Sequence, residues 1–511
     1  MTSPQARQVA ASVELDDVQG LVRFGYKHQT QASFLLMRIK HRDAARAWLA
    51  AAPVTSAVAV DPPPETALQI AFSVSGLRAL GIAADIVDGF SPEFIAGMNS
   101  DASRARRLGD VGANDSRRWH WGAADDVPHV LLMLYAAPGR LEAWQRAIEA
   151  QCDAGFERIA CLTTSDMDGV EPFGFVDGIS QPQLDWQRHR PLRDQDKLAY
   201  TNVSCLGEFL LGYPNEYGLY SERPLLDPGR DGSAMLPRAE DAPEKADLGR
   251  NGSYLVMRQL RQDVAGFWQF LDGQAKGDTA LRERLAEAMV GRTLRGQPLV
   301  GHTHEAIAGA KTASPHPDLN AFTFFSDPEG VRCPLGAHVR RTNPRNADLP
   351  PGVTGIVSRL VRMLGFDAQA LDRDRVASTR FHRLLRRGRE YGVEVSVPQA
   401  LAGAPVDAES GLHFICLCAN ISRQFEFVQG AWVAGTRFDG LTDESDPLLG
   451  HRLPGPDGTP SDGFSMPQAD GPARRIEGLP QFVTTLGGAY FFLPGIRALR
   501  YLATVRSEGL P

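Results

Sequence analysis

The chain has 511 residues, of which 43% are hydrophobic and 23% charged, and its formal net charge is -7. This length and composition predict an ordinary globular protein with more than one hydrophobic core, and they argue against a disordered chain. Nucleic-acid-binding proteins usually carry a basic excess, so the acidic balance leads us to expect no nucleic-acid partner.

The first half of the chain predicts alternating strands and helices. In chain order they are expected at 19–25 (strand), 44–52 (helix), 67–82 (strand, then helix), 129–136 (strand) and 141–150 (helix). The helical segments repeat apolar residues every three or four positions, whereas 129–136 is a continuous apolar run typical of a buried strand. Ser75 is the predicted helix cap within 67–82. This order is compatible with a ferredoxin-like unit that carries an extra helix.

The second half repeats this outline. A strand is predicted at 252–260, a helix at 262–274, a strand at 411–421 and a helix at 422–433. We therefore predict an α+β fold of two similar halves, although no repeat is visible in the sequence itself. The join is expected within 183–250, which is rich in proline, glycine and charge, and 450–475 is expected to be a loop.

A first candidate for chemistry is Asp177, which lies between glycines in the segment GFVDG at 174–178. Glycine is favoured where the chain turns tightly or where a ligand approaches the backbone. An acid held on such a loop could face a pocket. The alternative is an Asx-type turn in which Asp177 caps its own backbone.

A second candidate is His338, in the segment RCPLGAHVRRTNPR at 332–345. A neutral imidazole is a good ligand for iron or zinc, and the neighbouring arginines suit anionic groups, which they bind in a bidentate manner. The alternative is a histidine in a solvated basic loop.

Two further segments are notable. RFHRLLRRGREYG at 380–392 places Arg386, Arg387 and Arg389 close together, either as a fixed positive charge in a pocket or as a solvated basic helix end. The strand at 411–418 alternates, so that Leu412 and Phe414 share one face and could form an apolar wall or plain core.

Several sequence features bear on the cellular compartment of the protein. No run approaches the roughly 20 apolar residues that a membrane span needs, and MTSPQARQVAASVELDDVQG at the start lacks the apolar core of a signal peptide. The six cysteines are scattered, which argues against a disulfide framework. We expect a cytoplasmic protein without a membrane partner. Since no C-x-x-C-H occurs, any haem would not be attached through thioether bonds.

Taken together and in order, the segments resemble one family. EPFGFVDGISQP, GEFLLGYPNEYG, RCPLGAHVRRTNPR, RRGREYG and GLHFICLCANISRQFEFVQ are similar to those of the dye-decolourising peroxidases, from about residue 15 to the end. The length and GEFLLGYPNEYG look most like the larger bacterial subgroup. The resemblance implies two ferredoxin-like domains of the dimeric α/β-barrel type with bound haem, which we place at 1–200 and 201–511.

The resemblance also implies roles for individual residues. His338 would be the proximal iron ligand, Asp177 the distal acid–base group and Arg386 the distal arginine. Leu412 and Phe414 would line the distal wall. Further contacts to haem b, bound non-covalently, would come from Gly178, Ile179, Ser180, Arg341 and Arg345, the two arginines at the propionates. A histidine of this kind usually has a carboxylate partner, for which we predict Asp446.

The implied activity is reduction of hydrogen peroxide and oxidation of phenols, dyes or other small one-electron donors, in a protein that could be oligomeric. Tyr391 is either a surface exit for electrons or an amphipathic residue packed at a loop. One alternative is a haem-binding or haem-processing protein of the same fold. Another is a zinc hydrolase built on His302, His304 and Glu305.

Overall fold

The computed structural model describes residues 12–123, 126–189, 202–301, 317–345, 378–403, 409–455 and 457–504. Two predictions fall outside these ranges: the domain boundary at 200, and the zinc ligands His302, His304 and Glu305.

The first structural unit is built of four strands and two helices. They are β1 (Gln31–Ile39), α1 (Arg42–Ala51), β2 (Thr66–Phe72), β3 (Val130–Ala136), α2 (Leu141–Cys152) and β4 (Phe156–Thr163). The strands are antiparallel in the order β2-β3-β1-β4, which is the ferredoxin-like order. Successive residues of β1, such as Leu35 and Leu36, point to opposite faces of the sheet and belong to different hydrophobic clusters. Both faces of the sheet are therefore covered.

The second unit repeats this arrangement. Its elements are β5 (Ser253–Gln262), α3 (Val264–Ala275), α4 (Thr279–Val290), α5 (His338–Thr342), β6 (Leu385–Arg386), β7 (Arg389–Tyr391), β8 (Gly411–Cys418) and β9 (Val483–Leu493). The order β6-β8-β5-β9 matches that of the first unit, and β7 also pairs with β8. The expected pair of similar α+β halves is confirmed. Through the pairing of Phe492 with Phe72, the two sets of strands form one nine-stranded sheet.

Shorter elements complete the described chain. Short helices occur at Val74–Ala79, Ala84–Val87, Pro92–Ala96, Ala102–Leu108, Pro317–Asn320 and Val397–Leu401. Paired two- and three-residue strands are Gln183–Leu184 with Val203–Ser204, Leu225–Leu226 with Ala246–Asp247, Arg437–Phe438 with Leu441–Thr442, and Phe464–Met466 with Arg474–Ile476. The predicted join at 183–250 lies in the connection from β4 to β5. No helix in the described residues is long and apolar enough to cross a membrane.

Two local predictions are wrong. The segment 19–25 is not a strand but contains a 3-10 turn at Gly20–Val22, because the buried amide of Gln19 donates to the carbonyls of Ile70 (2.8 Å) and Pro494 (2.9 Å) and bends the chain. The helix after β2 is capped by Ser73, whose hydroxyl accepts the N–H of Gly76 at 3.1 Å, rather than by Ser75.

Two further segments differ in detail from the predictions. The helix expected at 422–433 forms two π-helical stretches, Ser422–Glu426 and Val428–Ala434, a rare geometry that often accompanies functional sites. The expected loop at 450–475 contains the strand Phe464–Met466 and the start of its partner.

The last described helix, α6 (Ile496–Thr504), returns to the first unit. Its Arg500 donates hydrogen bonds to the carbonyls of Leu49 and Ala52 at the end of α1. Leu499 and Trp48 belong to the same hydrophobic cluster. The first unit is therefore completed by residues from the far end of the chain.

Candidate functional site

A cavity opens between the loop after β4 and the second unit. The space between its walls, part of it open to solvent, is about 1870 Å³. Apolar walls come from Phe173, Phe175, Leu260, Leu412, Phe414, Phe425, Val428 and Val483. Polar groups come from Asp177, Asn202, Arg292, Asn320, His338, Asn343, Thr379, His382, Arg383 and Arg386. A mostly apolar cleft with a few polar groups is the usual form of a cofactor site.

His338, the first residue of α5, lines this cavity. Its Nδ1 lies 2.9 Å from Oδ2 of the fully buried Asp446, whose Oδ1 accepts the N–H groups of Leu448 and Leu449, both at 2.9 Å. Since Asp446 is held in this way, Nδ1 donates to it. Among the described residues, Nε2 of His338 has no hydrogen-bond partner.

The Asp446 carboxylate controls the charge of this imidazole. Burial lowers the pKa of His338, but the adjacent carboxylate more than offsets that effect and the net shift is upward. Burial raises the pKa of Asp446, and His338, Arg341 and the N–H of Leu449 together hold that pKa below its usual value. The pair therefore makes the imidazole unusually basic, as a carboxylate partner does for a metal-bound histidine.

Asp177 and Arg386 meet in the same cavity. The GFVDG segment is a tight loop, in which Gly178 has a positive φ of 75°. Nη1 of Arg386 donates to Oδ1 of Asp177 at 3.0 Å. The backbone N–H of Arg386 donates to the side chain of Gln181 at 3.0 Å, and the same amide returns a bond to the carbonyl of Arg386 at 3.2 Å. Both ends of the ion pair are thus fixed by their local backbone.

The ion pair settles the protonation of Asp177. Burial raises its pKa, but the Arg386 guanidinium and the N–H of Gly178 outweigh that effect, and the net shift is downward. Asp177 is therefore a carboxylate in the cavity, with a side-chain partner from another segment of the chain. An Asx turn alone does not describe it.

Glu171, in the same motif, is a cavity residue that the sequence analysis did not single out. One of its oxygens accepts the N–H of Phe175 at 3.0 Å, while the other accepts the N–H of Phe173 at 3.1 Å and the amide of Gln262 at 2.6 Å. Burial raises its pKa to about 7. Glu171 therefore holds the shape of the loop that carries Asp177. The acid at the start of EPFGFVDGISQP was the available signal.

Strand β8 supplies the expected apolar wall. Leu412 and Phe414 line the cavity, as do Ile179 and Ser180, whereas Gly178 lines the adjoining groove. His413 lies on the other face, where its Nε2 is 3.0 Å from the carbonyl of Thr163.

Tyr391 is buried. Its ring stacks on His413 with centroids 4.4 Å apart, and its hydroxyl donates to Glu409 at 3.0 Å. The geometry therefore favours the packed interpretation of Tyr391 over that of a surface exit for electrons.

Arg341 and Arg345, the arginines predicted at the propionates, do not line the cavity. Arg341 donates to the carbonyls of Trp432 (2.6 Å), Glu444 (3.0 Å) and Gly435 (2.5 Å). Arg345 donates to the carbonyls of Asn320 and Phe322 at 3.0 and 2.9 Å. Both are fully buried and tie backbone segments together.

Arg387 and Arg389, the other arginines of the RRGREYG segment, also donate hydrogen bonds to backbone carbonyls. Arg387 donates to the carbonyls of Leu21 (2.7 Å) and Val22 (2.9 Å). Arg389 donates to the carbonyls of Gly25 and Tyr26, at 2.9 and 2.8 Å. Of these three arginines, only Arg386 lines the cavity that holds His338.

The residues present fit a haem. One imidazole with a carboxylate partner is the ligand arrangement of many haem irons, and the apolar walls suit a macrocycle. The described residues contain no group of three histidines, cysteines or acids placed to hold a bare metal ion.

No family model matches the chain. Individual relatives match along nearly its whole length. It is 29% identical to the dye-decolorizing peroxidase of Exidia glandulosa over 97% of this chain and 88% of that protein, and 28% identical to the multifunctional dye peroxidase DyP2 of an Amycolatopsis strain over 85% and 82%. The crystal structure of the fungal DyP-type peroxidase from Auricularia auricula-judae superposes with a TM-score of 0.69 at 25% identity, covering 97% of this chain and all of the other.

The chain resembles the dye-decolourising peroxidases in sequence and fold along nearly its whole length. It is a haem peroxidase, which reduces hydrogen peroxide at the expense of small electron donors. The relatives come from fungi as well as a bacterium, so the resemblance is not confined to the bacterial subgroup. A dye-decolorizing peroxidase in complex with 2,6-dimethoxyphenol has the same fold, with a TM-score of 0.70 and 24% identity over 96% of this chain and all of the other.

Proposed function

We propose that haem b binds non-covalently in the cavity, with His338 as its iron ligand, and that Asp177 and Arg386 act on hydrogen peroxide. One observation carries the proposal. The basic imidazole of His338 and the ion pair of Asp177 and Arg386, which come from three distant segments, line a single cavity.

His338 and Asp446 would hold the cofactor. Because Nδ1 donates to Asp446, the neutral imidazole has Nε2 free to bind iron. The absence of C-x-x-C-H supports non-covalent attachment. When bound, haem supplies the redox chemistry, while the protein orients the reactants and sets the local field.

Asp177 is suited to move a proton. As a carboxylate, it accepts one proton of hydrogen peroxide and delivers it to the oxygen atom that leaves as water. Arg386 has two roles in this step. Its charge stabilises the negative charge that develops as the O–O bond breaks, and it keeps Asp177 ionised before the reaction.

We propose phenols and related dyes as electron donors. The support is the complex of a dye-decolorizing peroxidase of the same fold with 2,6-dimethoxyphenol, together with the apolar walls of the cavity. The alternative is a haem-binding protein of the same fold without peroxidase turnover, and no feature of the site favours it.

One experiment tests the proposal. Purified protein is loaded with haem, its Soret band is recorded before and after one equivalent of hydrogen peroxide, and oxidation of 2,6-dimethoxyphenol is then followed. A Soret change with donor oxidation is the expected result. A stable haem complex with no spectral response to peroxide would favour the haem-binding alternative.

We also propose a cytoplasmic location. All six cysteines are free, which supports a reducing compartment. Fractionation of the producing cells, with a cytoplasmic enzyme as marker, tests this, and recovery in the culture medium would contradict it.

A further inference from the structure

Arg292 is a buried cation in the wall of the cavity. Its residue surface is 4% exposed, and it lines the space that His338 also lines. It follows Gly291, which ends helix α4 in a left-handed conformation and directs the chain towards the cavity. Gly291 closely approaches Ala337, just before His338. The position of Arg292 is therefore set by the same packing that places α5.

Neutral groups hold the guanidinium. Nη1 donates to the carbonyls of Gly296 (2.7 Å) and Leu319 (3.0 Å), and Nη2 donates to the hydroxyl of Ser180 (2.8 Å). In the described parts of the chain, no carboxylate lies within ion-pair distance of Arg292, and its Nε has no acceptor. A buried charge without a counter-ion is costly, so this arrangement calls for an anion from outside the described residues.

Neighbouring arginines make an anionic partner for Arg292 still more favourable. The guanidinium carbons of Arg292 and Arg345 lie 5.1 and 3.7 Å from the centroid of the same ring, that of Phe322. Burial, followed by the charges of Arg345 and Arg386, lowers the pKa of Arg292 to about 9, against an opposing effect of Asp177. Asp177, the carboxylate that acts on Arg292 electrostatically, is already paired with Arg386 at 3.0 Å.

We propose that Arg292 binds a carboxylate of the haem, one of its two propionates, in the place that the sequence analysis gave to Arg341 and Arg345. This inference rests on the proposed function, because the carboxylate belongs to the proposed cofactor. Other polar groups in the same wall are compatible with it: Arg383, which also donates to the hydroxyl of Ser204 at 2.9 Å, and Asn343 and Thr379.

The pairing would also reach the catalytic loop. Ser180, which accepts from Arg292, presents its own carbonyl to Nη2 of Arg386 at 3.4 Å. A propionate on Arg292 would therefore be linked through Ser180 to the arginine that holds Asp177. Arg292 is a binding and positioning residue in this scheme and does not touch peroxide.

The test measures haem affinity and does not depend on turnover. Apoprotein is titrated with haem and with haem dimethyl ester, in which both carboxylates are neutral, for wild type, Arg292→Gln and Arg292→Lys. Hydrogen bonds to charged groups correspond to roughly a 10- to 100-fold change in affinity. We expect wild type to prefer haem over the diester by about that factor, Arg292→Gln to lose the preference, and Arg292→Lys to keep part of it.

Arg341→Gln is the matched control, because Arg341 is also buried but lies outside the cavity wall. It should keep the wild-type preference even where it lowers stability, since haem and diester are compared on the same protein. Resonance Raman bands of propionate bending should move in Arg292→Gln and stay in Arg341→Gln.

The outcomes separate the inference from the proposed function. If wild type fails to bind haem, the proposed function fails. If wild type binds haem and Arg292→Gln keeps the full preference with unmoved propionate bands, or wild type shows no preference, the role of Arg292 is overturned while the haem site stands.

Discussion

Nη1 of Arg386 lies 3.0 Å from Oδ1 of Asp177, although 209 positions separate the two residues in the chain. Each is anchored by its own backbone, Arg386 through β6 and Gln181, Asp177 through a bond from its N–H to the carbonyl of Gly169 at 3.0 Å. Removal of one side chain should therefore leave the other in place, which makes their contributions separable.

Loss of either residue should slow the reaction with peroxide while haem is retained. General acid–base catalysis typically accelerates a reaction about 10²–10⁴-fold, and a fixed charge in a dry pocket accelerates it about 10²–10³-fold. Since Arg386 also keeps Asp177 ionised, we expect Arg386→Leu to be at least as slow as Asp177→Asn. Stopped-flow mixing with hydrogen peroxide measures this, with Asp168→Asn as the control. A wild-type rate in Arg386→Leu would remove Arg386 from the mechanism.

The pH dependence of the same reaction should report Asp177. Its pKa lies below the usual value of about 3.9, so the carboxylate persists in mildly acidic buffer and the rate falls only when pH drops through that depressed pKa. Arg386→Leu removes the largest effect that opposes burial at Asp177, so the pKa of Asp177 should rise and the acid limb should move to higher pH. Rate constants for the reaction with peroxide, measured from about pH 3 to 9, give the position of this limb in both proteins. An unmoved limb, or an optimum above pH ~8 in wild type, contradicts a carboxylate base.

His338→Ala should abolish stoichiometric haem binding, because no other residue is proposed to ligate the iron. Haem content per folded protein and the Soret band measure the effect. His413→Gln is a suitable control, since His413 is also buried but lies on the face of β8 away from the cavity. Full haem content with an unchanged spectrum in His338→Ala would redirect the search to His382, another histidine of the cavity wall.

Asp446→Asn should make the bound imidazole less basic, because the carboxylate that raises the pKa of His338 is gone. A less basic ligand stabilises ferric iron less, so the reduction potential of the haem should rise, and affinity or activity should fall about 10- to 100-fold. Spectroelectrochemical titration gives the potential. Asp443→Asn, a nearby acid without this contact, should match wild type. A potential shared by Asp446→Asn and wild type would show that the hydrogen bond does not tune the iron.

Glu171 should make stability depend on pH. Its pKa is about 7 in the folded protein and about 4.3 in the unfolded chain. The folded state therefore binds more protons between these values, and stability falls as pH rises through that interval. Glu171→Gln cannot titrate, so its melting temperature should depend less on pH between about 4 and 7, whereas Glu157→Gln, at an exposed site, should follow wild type. Parallel curves for Glu171→Gln and wild type would refute a raised pKa.

The sequence predicted those features that depend on a local residue pattern or on a short motif. The apolar runs gave β3 and β5, and alternation placed Leu412 and Phe414 on the cavity face of β8. Asp446 was matched to His338 across 108 positions by resemblance alone, and the two lie in contact. Nothing in the local sequence around either residue requires that contact.

Arginine shows where sequence reasoning stops. Arg341 and Arg345 stand beside His338 in the chain, yet their guanidiniums turn to backbone carbonyls far away, such as that of Trp432. Arg292 carries no motif and still lines the cavity. Proximity in sequence does not show which carbonyl will accept a hydrogen bond, since that depends on how distant loops pack. The wrong cap at Ser75 and the missed turn at Gly20–Val22 have the same origin.

The contact between α6 and α1 constrains the order in which the protein can fold during synthesis. Arg500 and Leu49, which are bonded in the folded chain, are 451 positions apart. Because α1 is synthesised well before α6, the first unit cannot be completed until α6 has left the ribosome. A premature stop codon before α6 would leave every proposed catalytic residue encoded and yet yield a chain that exposes apolar surface to chaperones and proteases.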